Sequence, residues 1–233
     1  MRVLTQNISS LKSQAKREKI AAYYAKEISK NNDCTFFLKT HIDLADEEDF
    51  TRLAGLRGYP NHIHFSPPDG IKGGMVLLIN KHLNISNLEV VSSNKGEFIC
   101  TKFRLNDKTL FRAAFYGDSS ACDLSSRQRL FNFFTTLKTQ TTNYINCDIG
   151  ISGDFNFTFT NSDTNANKRV KKTTTENLFK QIIKFYNLSD YFIHTTPDPD
   201  PDGLDGFTYE KPRGIDYSRS RIDRAYHSTP HLH

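Results

Sequence analysis

Apolar residues recur along the chain at two spacings, and the switch between them marks alternating strands and helices. Arg2–Ile8 reads as a strand. Ser13–Ser29 reads as a helix, because Ile20, Tyr24 and Ile28 recur every four residues beside Ala21 and Ala25. Cys34–Leu38 is short and almost wholly apolar, as expected of a strand buried on both faces. Further strands are expected at His62–Phe65, Gly74–Ile79, Ile85–Val91, Phe98–Leu105 and Leu110–Tyr116. A helix near Ser125–Lys138 would carry Leu130, Phe134 and Leu137 on one face. Ile149–Gly153 reads as a strand, Thr175–Phe185 as a helix with Leu178, Ile182 and Phe185, and Phe207–Tyr209 and Arg221–Tyr226 as the last strands. Helices interleaved with strands, plus consecutive strands in the middle, predict an α/β fold of two mixed sheets packed together and covered by helices.

Two polar stretches interrupt this pattern. Thr160–Thr175 is rich in Asn and Thr and holds Lys168-Arg169 and Lys171-Lys172. Thr195–Gly206 interleaves Pro197, Pro199 and Pro201 with Asp198, Asp200, Asp202 and Asp205. Prolines and like charges at that density do not hold a packed element, so both are expected as surface loops. Neither is flanked by a composition shift that would mark a boundary, and a single domain over residues 1–233 is expected.

Composition changes this picture little. Hydrophobic residues make up 37% and charged ones 24%, enough apolar material for a core. The net charge of +5 suits a polyanionic partner, as it does many ordinary proteins. No apolar run approaches the ~20 residues that span a bilayer, and the N-terminus has no signal-peptide core, so an intracellular protein with no membrane partner is expected. Cys34, Cys100, Cys122 and Cys147 form no CxxC pair, and reduced, buried thiols are expected rather than zinc or disulfides.

Candidate chemistry sits at strand ends: Asn7 after the first strand, Asp154 and Asn156 in Gly153-Asp154-Phe155-Asn156, and Asp223 in Ser220-Arg221-Ile222-Asp223-Arg224. Lone Asp and Asn residues there are commonly turn formers. The functional alternative is a carboxylate and an amide held on one strand tip, the first able to accept a proton or hold a cation, the second to steady a phosphate oxygen.

In these residues the chain resembles the endonuclease/exonuclease/phosphatase (DNase I-like) family, most closely its LINE-type, non-LTR retrotransposon branch. Thr5-Gln6-Asn7-Ile8 is similar to that family's opening Asn motif, and Phe37-Leu38-Lys39-Thr40-His41 to its Gln-Glu-Thr-His motif. Gly73-Gly74-Met75-Val76-Leu77-Leu78 is similar to its Gly-Val-Ala-Ile strand, and Phe115-Tyr116 sits where it has Tyr-Ala-Pro-Asn. Gly153-Asp154-Phe155-Asn156 is its signature unaltered, while Phe207-Thr208-Tyr209 and Ser220-Arg221-Ile222-Asp223-Arg224 resemble its last two strands. The resemblance implies a DNase I-like four-layer α/β sandwich, with two mixed sheets face to face and flanking helices. It implies in-line hydrolysis of a DNA phosphodiester with Mg²⁺ or Mn²⁺. Asp154 would orient the attacking water and hold the metal, Asn156 would contact the phosphate, and Tyr116 would bond a phosphate oxygen. Asp223 would position its catalytic neighbours, Thr208 and Arg221 would bind substrate, and Asn7 would sit at the metal and substrate.

The chain departs from that pattern at three places. The family's metal-ligand glutamate falls at Lys39, whose charge repels a cation. The closing strand with its Ser-Asp-His has no counterpart, since only Arg224–His233 follow Asp223, so a C-terminally truncated domain is expected. Gly117-Asp118-Ser119 replaces Ala-Pro-Asn after Tyr116 and adds a carboxylate. These changes predict an impaired Mg-dependent DNA endonuclease, derived from an ancestral polyprotein containing reverse transcriptase and nuclear if functional. The alternative is an inactive nucleic-acid-binding remnant of the same fold, to which the Lys168–Lys172 stretch would contribute unless it is merely a solvated loop.

Overall fold

The computed structural model describes the chain except for residues 57–59, 71, 118–121, 143–146, 158–172, 191–208, 214–215, 221–222 and 229–233; side chains at 27–29, 44, 56, 60–61, 173, 209–213, 216–220 and 223 also lie outside the described set. The chain divides into two compact units, Met1–Tyr116 and Gly117–His233.

In the first unit, β1 (Val3–Asn7) pairs in parallel with β2 (Cys34–Leu38). β2 pairs antiparallel with β4 (Lys72–Asn80), and β4 with β3 (Pro60–Asp69), in the order β1-β2-β4-β3. β5 (Ile85–Ser92), β6 (Phe98–Leu105) and β7 (Lys108–Tyr116) form antiparallel neighbours in a second sheet. The apolar run of β2 is buried on both faces, as its sequence predicts. Phe37 turns outward with Val76 and Leu78 to meet Ile8, Tyr24 and Phe50. Cys34, Phe36 and Leu38 turn inward with Met75, Leu77 and Ile79 to meet Ile99, Phe103, Leu110 and Ala114 of β6 and β7. Strand alternation thus builds two apolar layers, one under helices and one between face-to-face sheets.

The helices of this unit depart from the expected bounds. α1 (Gln14–Tyr23) passes into a π turn at Tyr24–Ile28 and a last stretch at Ser29–Asn31, where one continuous α-helix is expected. The Tyr24 ring in that turn packs edge-on against Phe37, with centroids 6.4 Å apart. α2 (Leu44–Leu56) has no counterpart among the expected elements; Asp46 and Glu47 in its first turn complement the helix dipole. Arg17 of α1 joins the two helices, bonding Asp46 and Asp49 at 2.5 and 2.7 Å. It also donates to the carbonyls of Leu11 and Lys12 at 3.0 and 2.7 Å.

The second unit contains α3 (Asp123–Thr141), β8 (Asp148–Asp154), α4 (Thr173–Phe185), β9 (Leu188–Asp190), the hairpin of β10 (Tyr209–Arg213) and β11 (Asp216–Ser220), and β12 (Asp223–Ser228). β12 runs antiparallel between β8 and β9. Its core is aromatic: Phe155 and Phe179 have centroids 4.8 Å apart, Phe179 and Tyr226 5.2 Å, and Phe157 joins both phenylalanines. The Asp123 carboxylate accepts the backbone N–H groups and the hydroxyls of Thr174 and Thr175, capping α4 from the start of α3. The buried Arg224 pairs with the half-buried Asp190 at 3.4 Å.

Candidate active site

The chain ends of β1 and β2, where a parallel pair presents its carboxyl ends, carry Asn7 and Lys39 side by side. Asn7 is exposed, and its Oδ1 accepts from the Ser9 backbone N–H at 3.2 Å and from the Ser9 hydroxyl, an Asx turn. Ser10 and Leu11 then donate backbone N–H groups to the carbonyls of Lys39 and Thr40 at 2.7 and 2.6 Å. On the other side, Thr40 and His41 donate to the carbonyls of Gly74 and Gly73 at 2.9 and 3.2 Å. Ser9, Ser10, Lys39 and His41 all have positive φ, so the chain is bent tightly where these strands end. A Cβ on Gly96 would fall 2.0 Å from the Gly74 nitrogen, which only glycine avoids. Glu97 follows, buried, and its carbonyl accepts the Tyr116 N–H at 2.7 Å.

Charge at this corner is positive. His41 is held below its ordinary basicity by burial first, then by the ammonium groups of Lys39, Lys12 and Lys16. Its Nε2 is buried and meets no hydrogen-bond partner among the described residues. Lys16 Nζ donates to the Ser9 carbonyl at 3.1 Å. The acids that follow in sequence do not turn inward to replace a glutamate: Asp43 caps α2 by accepting the Asp46 N–H at 3.1 Å. Burial, and then Asp43, raises the Glu47 carboxyl.

In the second unit, β8 ends at Asp154, which is buried. Asp154 Oδ1 accepts the Asn156 N–H at 3.1 Å, and its carbonyl accepts the Gly117 N–H at 2.7 Å. Asn156, at φ 52°, returns its amide to the Gly117 carbonyl. Phe155 between them is buried in the aromatic core and anchors the turn. A Cβ on Gly117 would meet the Phe155 carbonyl at 2.3 Å, so this strand tip closes only around glycine. Across the ladder, Asp223 of β12 stands in direct register with Asp154. Two acid-bearing positions therefore face each other at one end of β8 and β12.

Among the expected site residues, Asn7 and Lys39 share the first corner, and Tyr116 starts near it through Glu97, its ring in the inter-sheet apolar cluster. Asp154, Asn156 and the Asp223 backbone share the second. Thr208, Arg221, Asp118 and the Lys168–Lys172 stretch lie outside the described residues, as does the Asp223 side chain. Lys12, Lys16 and Glu97 escape sequence reading. The two lysines sit on a stretch without strand pattern, although Glu97, a charge entering an apolar strand, is a visible anomaly.

A divalent cation does not fit the Lys39 corner. Three ammonium groups influence His41 there, and among the described residues no group of three or more His, Cys, Asp or Glu gathers to hold a metal. A hard dication needs oxygen donors with negative charge.

No protein-family model matches the chain, and no curated protein matches it in sequence. Solved structures do match. TDP2 from C. elegans superposes with a TM-score of 0.61 at 15% identity, covering 98% of this chain and 64% of that one. The 3′ phosphatase NExo from Neisseria, bound to a product DNA hairpin, gives 0.69 at 12% identity over 98% and 86%. The endonuclease domain of TRAS1, a telomere-specific non-LTR retrotransposon, gives 0.56 at 11% over 97% and 84%. The chain thus spans just under two thirds of the TDP2 structure. Mixed sheets, flanking helices and these superpositions define a DNase I-like fold.

Proposed function

We propose that the chain is a phosphodiesterase-type domain of a retrotransposon-like element that engages DNA and is impaired in metal-dependent endonucleolytic cleavage. The observation that carries this reading is the contrast between the two strand-end corners. The Asp154–Asn156 turn keeps a buried carboxylate and an amide locked to Gly117. The Lys39 corner presents cations instead of an acid. A carboxylate fixed in this way can accept a proton from water, and the amide can hold a phosphate oxygen. Substituting a lysine for a metal ligand removes the Lewis acid that would stabilise developing charge on the phosphate, a loss of several kcal/mol in such sites. Fold neighbours bound to DNA, NExo with a product hairpin and D. rerio TDP2 with a single-strand product, support DNA as the partner. The retrotransposon context, nuclear location and a parent polyprotein with reverse transcriptase rest on the motif resemblance.

A second reading, a nucleic-acid-binding remnant without catalysis, is favoured by the cationic corner itself. Nicking of supercoiled plasmid with Mg²⁺ or Mn²⁺, beside a gel-shift measurement at low salt, separates the two. The primary reading expects DNA binding with trace nicking that Asp154→Asn abolishes. Binding with no nicking supports the remnant. Absence of DNA binding, or robust nicking indifferent to Asp154→Asn, contradicts both.

A further inference from the structure

We infer that the Lys39 corner of the first unit is a phosphate-binding site in which the ammonium groups of Lys39, Lys12 and Lys16 take the place of a divalent cation. Four observations point there. Backbone bonds from Ser10 and Leu11 to the carbonyls of Lys39 and Thr40 lay the Lys12 stretch beside Lys39, and Lys16 Nζ reaches the Ser9 carbonyl of the same bend at 3.1 Å. Among the described residues neither Lys12 nor Lys39 spends its ammonium on an ion pair, whereas Arg17, Arg52, Lys102 and Arg224 all do. His41 Nε2 is buried without a hydrogen-bond partner, a polar atom that a phosphate oxygen would satisfy. The backbone is braced rather than loose: the Leu11 and Lys12 carbonyls are fixed by Arg17, and the Ser10 and Leu11 N–H groups by Lys39 and Thr40.

Like charges gathered without counter-ions repel one another, and a bound dianion or phosphodiester relieves that repulsion. Lysines suit this role as strongly hydrated point charges with several donors each, able to adapt around tetrahedral oxygens. Lys16 uses one donor on the Ser9 carbonyl, which leaves others for a ligand. The corner stands on its own residues. Only the choice of a DNA phosphodiester over free phosphate rests on the proposed function.

The test is a ¹H–¹⁵N titration of the intact chain in EDTA with inorganic phosphate, paired with anisotropy of a short fluorescein-labelled single-stranded DNA. Lys39→Met and Lys39→Glu are compared with the wild type, and their unliganded spectra report folding. The expected result is saturable phosphate shifts confined to residues 9–12, 16 and 39–42, weakened roughly fivefold by Lys39→Met and further by Lys39→Glu. The DNA affinity should fall in the same order, with a salt dependence about one unit less steep. Phosphate shifts that respond to Lys39 while DNA binding does not would keep the site and remove DNA as its source. Shifts absent, spread over other lysines, or indifferent to Lys39 overturn the inference, whatever the DNA does. So does Mg²⁺ alone producing the same shifts in the wild type.

Discussion

Replacing Gly96 by alanine tests how tightly the strand ends behind Lys39 are packed. Gly96 has φ +63°, and an added Cβ would lie 2.0 Å from the Gly74 nitrogen, 2.5 Å from its Cα and 2.9 Å from the Pro67 carbonyl. All three are backbone atoms, so relief requires main-chain movement of about an ångström. Gly70 supplies the control: its φ is +61°, and nothing lies within 4 Å of its added Cβ. Both substitutions carry the left-handed penalty of about 1 kcal/mol and the same unfolded-state entropy effect. Gly96→Ala adds overpacking of about 1–3 kcal/mol, so it should destabilise by roughly 2–4 kcal/mol while Gly70→Ala costs about 1. For a chain of this size that is a fall in melting temperature of roughly 5–15 °C. Urea unfolding of the two variants measures the difference. The displacement should also reach Lys39, because the Gly74 carbonyl accepts the Thr40 N–H at 2.9 Å. Equal stabilities for the two variants would refute the packing described.

Arg17→Met should lower the urea midpoint by an amount corresponding to roughly 2–4 kcal/mol, because it takes the guanidinium from two carbonyls and from Asp46, while Asp49 keeps only Arg52; a change below about 1 kcal/mol would contradict the network. Thiol alkylation followed by mass spectrometry should modify Cys122 first, since it is exposed and its bond with Ser125 lowers the thiol. Cys34, pushed to about 12 by burial, and Cys100, raised still further by burial, should react only after unfolding. Stability should also fall on acidification through the histidine range. Burial depresses both His41 and His64 below about 6.5, so the folded state binds fewer protons than the unfolded chain; their contribution is full above that pH and is lost as pH falls through the folded values. A urea midpoint that stays flat or rises between about pH 7 and 5 would contradict this.

Much of the architecture is legible in the sequence, because a strand covered on both faces reads as a near-continuous apolar run. Cys34–Leu38 and Phe98–Leu105 fall at their expected bounds. The α/β class follows from the alternation of strands and helices, and the DNase I-like fold is what the motif resemblance implies. The bounds fail where a different constraint wins. His62–Phe65 extends to Pro60–Asp69 through Pro67 and Pro68, at the edge of the sheet, where a proline whose nitrogen faces outward removes no bond from the ladder. β9 is too short for a period to show, β11 is polar apart from Tyr217, and α2 is a helix whose apolar positions compete with four acids. At the candidate site, the Asp154–Asn156 turn is written locally in four consecutive residues. The cationic corner is not, since the Lys12 and Lys39 stretches are brought together by the bends at Ser9, Ser10 and Lys39 and the backbone bonds across them. Cys122 corrects the expectation of buried thiols: it precedes α3 and stays exposed.

The central claim is that Lys39 turns a cation corner into an anion corner, and Mn²⁺ measures it directly. Paramagnetic broadening of amide signals would be followed in the wild type and in Lys39→Glu during a Mn²⁺ titration. The account predicts that signals of residues 7–10 and 39–42 stay sharp in the wild type and broaden at low Mn²⁺ in Lys39→Glu, where a carboxylate joins the corner. Selective broadening of those signals in the wild type would contradict it, as would a folded Lys39→Glu variant that gains none.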